Sequence, residues 1–155
     1  MAAQIFDLSG KVSVVSGAAQ GMGRAMSVAL AESGSDMAII DLNESGLSDT
    51  ASHIRSIGRN VDTFTADVSD VESIPGIFLD VMEKYGRVDF LGNVAGGKTV
   101  MGSSEDVKVE DFEKSLKSLV IGRFLMCREA GRIMLKQGKG SIVNIGSIGG
   151  MSSLG

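Results

Sequence analysis

The sequence predicts an α/β fold in which a doubly wound parallel sheet carries helices on both faces. Short apolar runs alternate with segments of helical periodicity along the 155 residues. A glycine-rich turn, S-G-A-A-Q-G-M-G at 16–23, joins the first apolar run to the first helix-like segment. The 21 glycines accompany a single proline, which suits many tight junctions between strands and helices. Alternation of this kind predicts parallel strands joined by right-handed crossovers.

The elements follow one another in regular order. The apolar runs predict strands over 12–16, 37–41, 61–66, 90–94 and 141–145. The segments with helical spacing predict helices over 21–33, 44–57, 71–85 and 109–136.

The last of these helices is the longest. Its apolar residues recur at three- and four-residue spacing, at Phe112, Leu116, Leu119, Val120, Phe124, Cys127 and Met134. We expect this stripe to face the sheet. Further apolar residues lie partly off it, at Val109, Ile121, Leu125 and Ile133. This second set indicates either a subunit contact or a more deeply buried helix.

The glycine turn has the form of a phosphate-binding corner. Gly17 permits a sharp turn, Gly21 lets the backbone approach a pyrophosphate, and Gly23 lets the helix pack near the strand. The N-terminus of the following helix offers unpaired N–H groups and partial positive charge to an anion. We expect Gln20 and Met22, in the same turn, to contact the dinucleotide as well.

Asp41 stands at the end of the second predicted strand, roughly 20 residues past the glycines, where a carboxylate can bind an adenosine ribose. A 2′-phosphate would meet like charge there, and no Lys or Arg stands at 18–20 or 42–45. NAD is therefore favoured over NADP, with Leu42 as a neighbouring contact. The alternative is that Asp41 serves as a helix N-cap or turn residue.

Composition limits the other classes of function. A net charge of −4 argues weakly against nucleic acid or an anionic membrane as partner. No apolar stretch approaches the roughly 18 residues of a membrane span, and the first residues do not resemble a secretory signal. One cysteine and one histidine exclude an internal disulfide and give too few ligands for a Cys/His metal site. We expect a cytoplasmic protein without a metal.

Four motifs stand in the chain in order. They are the glycine turn at 16–23, D-V at 67–68, N-V-A-G at 93–96 and S-I-V-N-I-G-S at 141–147. With them the chain, from residue 8 onward, resembles the N-terminal portion of the short-chain dehydrogenase/reductase family. Ser16 replaces the Thr of the family's T-G-x-x-x-G-x-G, and Val94 replaces the second Asn of N-N-A-G. The resemblance implies one Rossmann-like dinucleotide-binding domain over 1–155, with strand order 3-2-1-4-5 and without the last strands.

The resemblance also implies roles for single residues. Asp67 and Val68 match the pair that contacts the adenine ring, although Asp67 is also suited to cap the helix predicted at 71–85. Asn93, Ala95 and Gly96 match positions that bind the cofactor.

Other matched positions lie around the expected active site. The Asn93 amide either braces the neighbouring strand or belongs to a simple turn. Gly96 and Gly97 give a backbone that can lie against a ribose. Ser147 matches the serine that hydrogen-bonds the substrate oxygen, and the alternative is a loop serine.

The chain departs from the family pattern in two places. The family's acid/base Tyr, followed four residues later by Lys, is expected near position 160, and Tyr85, the single tyrosine, cannot replace it. The family's active-site Asn falls on Leu119, which can neither donate nor accept a hydrogen bond. We therefore expect the chain to be part of a longer protein, with an apolar edge at 142–145; a genuine 155-residue product is the alternative.

These observations predict an NAD(H)-dependent oxidoreductase that interconverts a secondary alcohol and its ketone, a small-molecule substrate. The resemblance suggests a homo-oligomer, either a tetramer or a dimer. Two alternatives remain open, namely an NADPH-dependent 3-oxoacyl-thioester reductase and a catalytically inactive dinucleotide-binding module.

Overall fold

The computed structural model of the chain describes residues 6–96 and 103–148. Five strands form one sheet, namely β1 Val12–Ser16, β2 Asp36–Asp41, β3 Val61–Thr65, β4 Phe90–Asn93 and β5 Ser141–Asn144. Every pairing is parallel and the order is β3-β2-β1-β4-β5, as the sequence predicts. The helices are α1 Gly21–Glu32, α2 Glu44–Ser56, α3 Ile74–Tyr85, α4 Val109–Leu116 and α5 Arg123–Gln137.

The core lies on both faces of the sheet. Successive side chains of a strand point to opposite faces. Val14 and Ile40 accordingly pack with α3 and α5, whereas Val15 and Ile39 pack with α1 and α2. The central strands are therefore buried on both sides, which is why β2 is a continuous apolar run over 37–40.

The first turn of α3 differs from the prediction. The helix begins at Ile74 rather than at residue 71, with Ser73 as its N-cap and Pro75 in its first turn. Proline is well suited to that position because its φ is already helical and its missing N–H is not needed there. The hypothesis that Asp67 caps this helix is therefore wrong. Asp67 Oδ1 instead accepts a hydrogen bond from the Ser69 N–H at 2.8 Å, within a turn.

The helix predicted over 109–136 is interrupted. A π-helical segment, Lys117–Gly122, lies between α4 and α5. Most of the predicted stripe does not face the sheet, since Phe112, Val120 and Phe124 are 56%, 56% and 62% exposed. Its C-terminal part does, because Met134 is buried in the core and Cys127 packs against it. The buried positions instead recur every fourth residue, at Ser118, Gly122, Met126, Ala130 and Met134.

Close backbone contact explains this change of face. A Cβ at Gly122 would lie only 2.0 Å from the Val68 carbonyl oxygen. The loop after β3 can approach the helix this closely only where the helix presents a small residue. Apolar periodicity selects bulky side chains, so it missed Ser118 and Gly122, the small residues on the side of the helix that this loop approaches.

Strand β5 lies at the edge of the sheet. It pairs with β4, and all four of its residues are exposed. Ile142 and Val143 are 37% and 38% exposed, so the apolar edge predicted over 142–145 is present in the part of the chain that the structure describes.

Acidic and basic side chains pair at the amino-terminal edge of the sheet. The pairs are Asp36 with Arg59 at 2.7 Å, Asp62 with Lys84 at 2.5 Å, and Asp89 with Arg87 at 2.6 Å. Burial raises the pKa of each carboxyl, but hydrogen bonds and nearby positive charge outweigh it, so each pKa lies below its ordinary value. Asp89 also accepts from the Val12 N–H at 3.0 Å, which ties the carboxylate to the start of β1.

These lowered pKa values predict loss of stability in acid. A carboxyl whose folded pKa is depressed stabilises the fold above its unfolded pKa of about 3.9, and that contribution disappears as pH falls through the folded pKa. We expect the melting temperature to decrease as pH falls below about 4. Asp89→Asn should flatten this decrease, whereas Asp49→Asn, on an exposed position of α2, should leave it unchanged. If the melting temperature of Asp89→Asn depended on pH as strongly as that of the unmodified protein, Asp89 would not contribute to the loss of stability in acid.

Candidate functional site

A cleft of about 270 Å³ opens at the carboxyl ends of the strands. In an open parallel sheet this is the edge at which ligands bind. Its walls come from the glycine turn, the ends of β2, β3 and β4, and the π segment. The lining residues are Gly17, Gln20, Met22, Gly23, Ile40, Asp41, Leu42, Ala66, Asp67, Val68, Val94, Ala95, Gly96 and Ser118.

The glycine turn packs too tightly for side chains at two of its positions. Gly17 has a φ of +76°, and a Cβ there would lie 2.7 Å from the Ala95 backbone nitrogen. A Cβ at Gly23 would lie 2.0 Å from the Gly17 carbonyl oxygen. Gly17 therefore permits the turn and Gly23 permits the close helix packing, as predicted from the sequence. At Gly21, with a φ of +54°, a Cβ would meet nothing within 4 Å, so the chain leaves open space there.

The N-terminus of α1 begins in this turn. Gln20 is the N-cap residue, its side chain makes no capping hydrogen bond, and the first turn holds no acidic residue. The partial positive charge of the helix end therefore has no side-chain compensation from the helix itself. Together with the glycine turn, this end of α1 is suited to an anion such as a pyrophosphate.

Asp41 faces the glycine turn from the end of β2. Its Oδ2 accepts from the Ala19 N–H and its Oδ1 from the Asn43 N–H, both at 3.0 Å. Asn43 is the N-cap of α2 and accepts from the Gly46 N–H, so Asp41 is a turn residue and not the helix cap. The carboxylate lines the cleft while it holds the turn in place, and each oxygen keeps a further lone pair for a hydroxyl donor.

All predicted cofactor residues except Gly21 and Asn93 line this cleft. The Asn93 side chain points to the edge strand instead. Its Nδ2 donates to Asn144 Oδ1 at 2.8 Å and to Cys127 Sγ at 3.2 Å. The interpretation that Asn93 braces the neighbouring strand is therefore the one the structure supports, since Asn144 belongs to β5. The expectation for Gly97 lies outside the described residues.

Sequence reasoning missed four lining residues, namely Ile40, Ala66, Val94 and Ser118. Ser118 is the informative one, because it is a buried polar residue on the π segment whose hydroxyl donates to the Ser115 carbonyl at 3.4 Å. The sequence signal that could have identified Ser118 is its position four residues before Gly122, another small residue.

The remaining positions that the sequence singled out are Ser147, Leu119 and Tyr85. Ser147 is exposed and follows β5 at the same edge of the sheet, although it does not line the cleft itself. A Leu119 methyl carbon lies 3.6 Å from where a Cβ of Gly96 would stand. Tyr85 lies at the opposite end, where its hydroxyl donates to the Met37 carbonyl at 3.1 Å. Burial and Asp62 raise the pKa of Tyr85, which makes it unsuited to proton transfer at neutral pH.

Within 6–96 and 103–148, no three His, Cys, Asp or Glu side chains group closely enough to hold a metal ion. Among the helices of those same segments, none combines the length and apolarity needed to cross a bilayer.

The parallel sheet, its strand order and the cleft at its carboxyl edge define a Rossmann-like α/β domain. The family model described as short chain dehydrogenase matches residues 11–154. The chain belongs to the short-chain dehydrogenase/reductase family, a family of oxidoreductases.

Several characterised relatives are dehydrogenases. D-threitol dehydrogenase of Mycolicibacterium smegmatis is 36% identical over 142 residues, which are 92% of this chain and 54% of the relative. NAD-dependent glycerol dehydrogenase of Listeria innocua is 32% identical, over 92% of this chain and 54% of the relative. The chain thus spans about half the length of the curated relatives it matches.

Solved structures show the same fold. NAD⁺-bound xylitol dehydrogenase has a TM-score of 0.90 and 32% identity, over 94% of this chain and 56% of that structure. Carveol dehydrogenase of Mycobacterium avium in complex with NAD has a TM-score of 0.89 and 27% identity, over 94% of this chain and 57% of that structure.

Proposed function

We propose that residues 1–155 form the dinucleotide-binding domain of an NAD(H)-dependent oxidoreductase that interconverts a secondary alcohol and its ketone. The observation that carries the proposal is the cleft in which the glycine turn faces the Asp41 carboxylate across the ends of β1 and β2. The dehydrogenases among the relatives, and the NAD in the titles of two similar structures, support it.

The residues present fit such a cofactor on their own geometry. Gly17 and Gly23 leave no room for side chains of their own, so only backbone stands at these positions beside the N-terminus of α1, whose first N–H groups would bind the pyrophosphate. Asp41 would hold the adenosine ribose, and Asp67 with Val68 would hold the adenine. Ala95 and Gly96 lie on the other side of the turn and would hold the second ribose. When bound, the nicotinamide supplies the hydride chemistry.

Ser147 would orient the oxygen of the substrate. It follows β5 at the carboxyl edge of the sheet, where the cleft opens. The hydroxyl donates to or accepts from an alcohol or carbonyl oxygen, which supplies orientation rather than acid/base catalysis. Tyr85 takes no part, because it lies at the opposite end of the sheet.

Asp41 provides the test of cofactor choice. We expect NADH to bind about tenfold or more tightly than NADPH, because the carboxylate repels a 2′-phosphate. Asp41→Asn should reduce this preference by about tenfold, since it removes the charge and keeps one acceptor oxygen. Fluorescence titration with both reduced cofactors measures the ratio, and Asp49→Asn on exposed α2 is the control for the charge change. Tighter binding of NADPH than of NADH by the unmodified protein would overturn the proposed preference for NAD(H) and favour the NADPH-dependent 3-oxoacyl-thioester reductase.

Leu119 gives weight to the inactive binding module as the second candidate. It lies beside Gly96 at the position where the family has its active-site Asn, and it has no polar atom to hold a water. Incubation with NAD⁺ and a panel of secondary alcohols, followed at the NADH absorbance, separates the two functions. Formation of NADH by residues 1–155 would overturn the inactive module and also the need for a later Tyr. Cofactor binding without turnover would favour the inactive module only in a longer protein that carries the expected Tyr and Lys.

We further propose that the protein forms a homo-oligomer. Apolar side chains are exposed along α4 and the π segment, among them Val109, Phe112 and Val120 at 67%, 56% and 56%. Exposed apolar side chains grouped in this way are typical of protein interfaces. Sedimentation velocity would show a dimer or tetramer, and a monomer at all concentrations would overturn the proposal.

A further inference from the structure

Arg123, the first residue of α5, reaches the edge of the cleft with its guanidinium group. Nη2 donates to the Ala95 carbonyl at 3.0 Å and Nη1 to the Ile145 carbonyl at 2.5 Å. These carbonyls follow β4 and β5, whose ladder ends with the Ile145 N–H donating to the Asn93 carbonyl at 3.0 Å. The guanidinium therefore joins two strand ends beyond their last shared backbone hydrogen bond.

This cation is held without a carboxylate. Among residues 6–96 and 103–148, no acidic side chain forms an ion pair with Arg123, and its partners are the two carbonyls. Its Nε is buried and has no hydrogen-bond partner within those segments. The other two arginines of α5, Arg128 and Arg132, are exposed and both pair with Glu129. A half-buried positive charge without a paired carboxylate costs free energy, because burial removes part of its hydration.

The position of Arg123 beside the ends of β4 and β5 identifies which half of a bound dinucleotide it would affect. Asp41 ends β2 and Asp67 follows β3, on one side of the central glycine turn, whereas Ala95 and Ile145 follow β4 and β5 on the other. With the adenosine at Asp41, the nicotinamide half belongs on the β4 side. A Cβ at Gly96, which lines the cleft there, would lie 4.0 Å from Arg123 Nη2.

We propose that Arg123 determines which redox state of the cofactor the site prefers. Its positive charge disfavours the positively charged ring of NAD⁺ relative to the neutral ring of NADH. The inference rests on the proposed function, because it requires the dinucleotide to occupy the cleft. Leu119, one helical turn earlier, adds an apolar wall beside Gly96 and no polar group to screen the charge.

The experiment measures dissociation constants of NAD⁺, NADH and ADP-ribose by calorimetry. Arg123→Gln removes the charge, Arg123→Lys keeps it, and both lose the two-pronged geometry of the guanidinium. We expect the Kd ratio of NAD⁺ to NADH to fall about tenfold in Arg123→Gln, as removal of a nearby unit charge implies. It should stay within about twofold of the unmodified value in Arg123→Lys and in the control Arg132→Gln. ADP-ribose has no nicotinamide ring, so its affinity should stay within about twofold throughout.

Three results would overturn the inference. The first is an unchanged ratio in Arg123→Gln. The second is an equal fall in Arg123→Lys and Arg123→Gln, which would exclude charge as the cause. The third is loss of ADP-ribose binding in Arg123→Gln, which would assign Arg123 a purely structural role. Failure of the unmodified protein to bind any of the three ligands would instead overturn the proposed function, so the two failures are distinguishable.

Discussion

Gly23→Ala is expected to destabilise the fold by about 3 kcal/mol and to abolish measurable NADH binding. The added Cβ would stand 2.0 Å from the Gly17 carbonyl oxygen and 2.6 Å from its carbonyl carbon. Both are backbone atoms, so relief requires α1 to move away from the turn rather than a side chain to rotate. Such a movement separates the helix N-terminus from the glycine turn, which together make the anion site.

Gly131→Ala is the matched control for this substitution. Gly131 lies inside α5, and a Cβ there would meet nothing within 4 Å. Alanine is favoured over glycine in a helix interior by up to about 1 kcal/mol, so this variant should be as stable as the unmodified protein or more so. Thermal melting and NADH titration of both variants make the comparison. Gly23→Ala with an unchanged melting temperature and unchanged affinity would contradict the tight packing of the turn.

The strands and the glycine turn were predictable from the sequence for a physical reason. Strands buried on both faces are mostly apolar, so a run such as 37–40 indicates a strand by itself. Gly17 has a positive φ and Gly23 has no room for a Cβ, so the residue type itself reports the local geometry. Asp41 was predicted at the cleft, but its hydrogen bond to the Ala19 N–H was not, because that contact spans 22 positions.

The face of the long helix was not predictable in the same way. Apolar periodicity assumes a regular α-helix, whereas the π segment Lys117–Gly122 changes the angular position of every residue that follows it. Burial there follows the small residues Ser118 and Gly122, because the loop after β3 approaches the backbone closely. Arg123 was equally hidden, since an arginine at a helix position reads as a solvated charge until its carbonyl partners are known.

Gly122→Ala is expected to show that the π segment and the adenine side of the cleft form one packed unit. A Cβ at this position would lie 2.0 Å from the Val68 carbonyl oxygen and 2.9 Å from its carbonyl carbon. Either the helix or the loop after β3 must move, and overpacking of this kind costs about 1–3 kcal/mol. Because Val68 and Ser118 both line the cleft, the affinity for ADP-ribose should fall together with the melting temperature.

Gly76→Ala separates this effect from a general response to alanine in a helix. Gly76 is exposed on α3, and a Cβ there would meet nothing within 4 Å, so the variant should keep both stability and affinity. For Gly122→Ala, the melting temperature should fall by about 3–10 °C, as that energetic cost implies for a domain of this size. A Gly122→Ala protein that melts lower but binds ADP-ribose normally would mean that the loop can shift without disturbing the adenine side. That outcome would contradict the coupling, because both walls of this side meet at the contact between Gly122 and Val68.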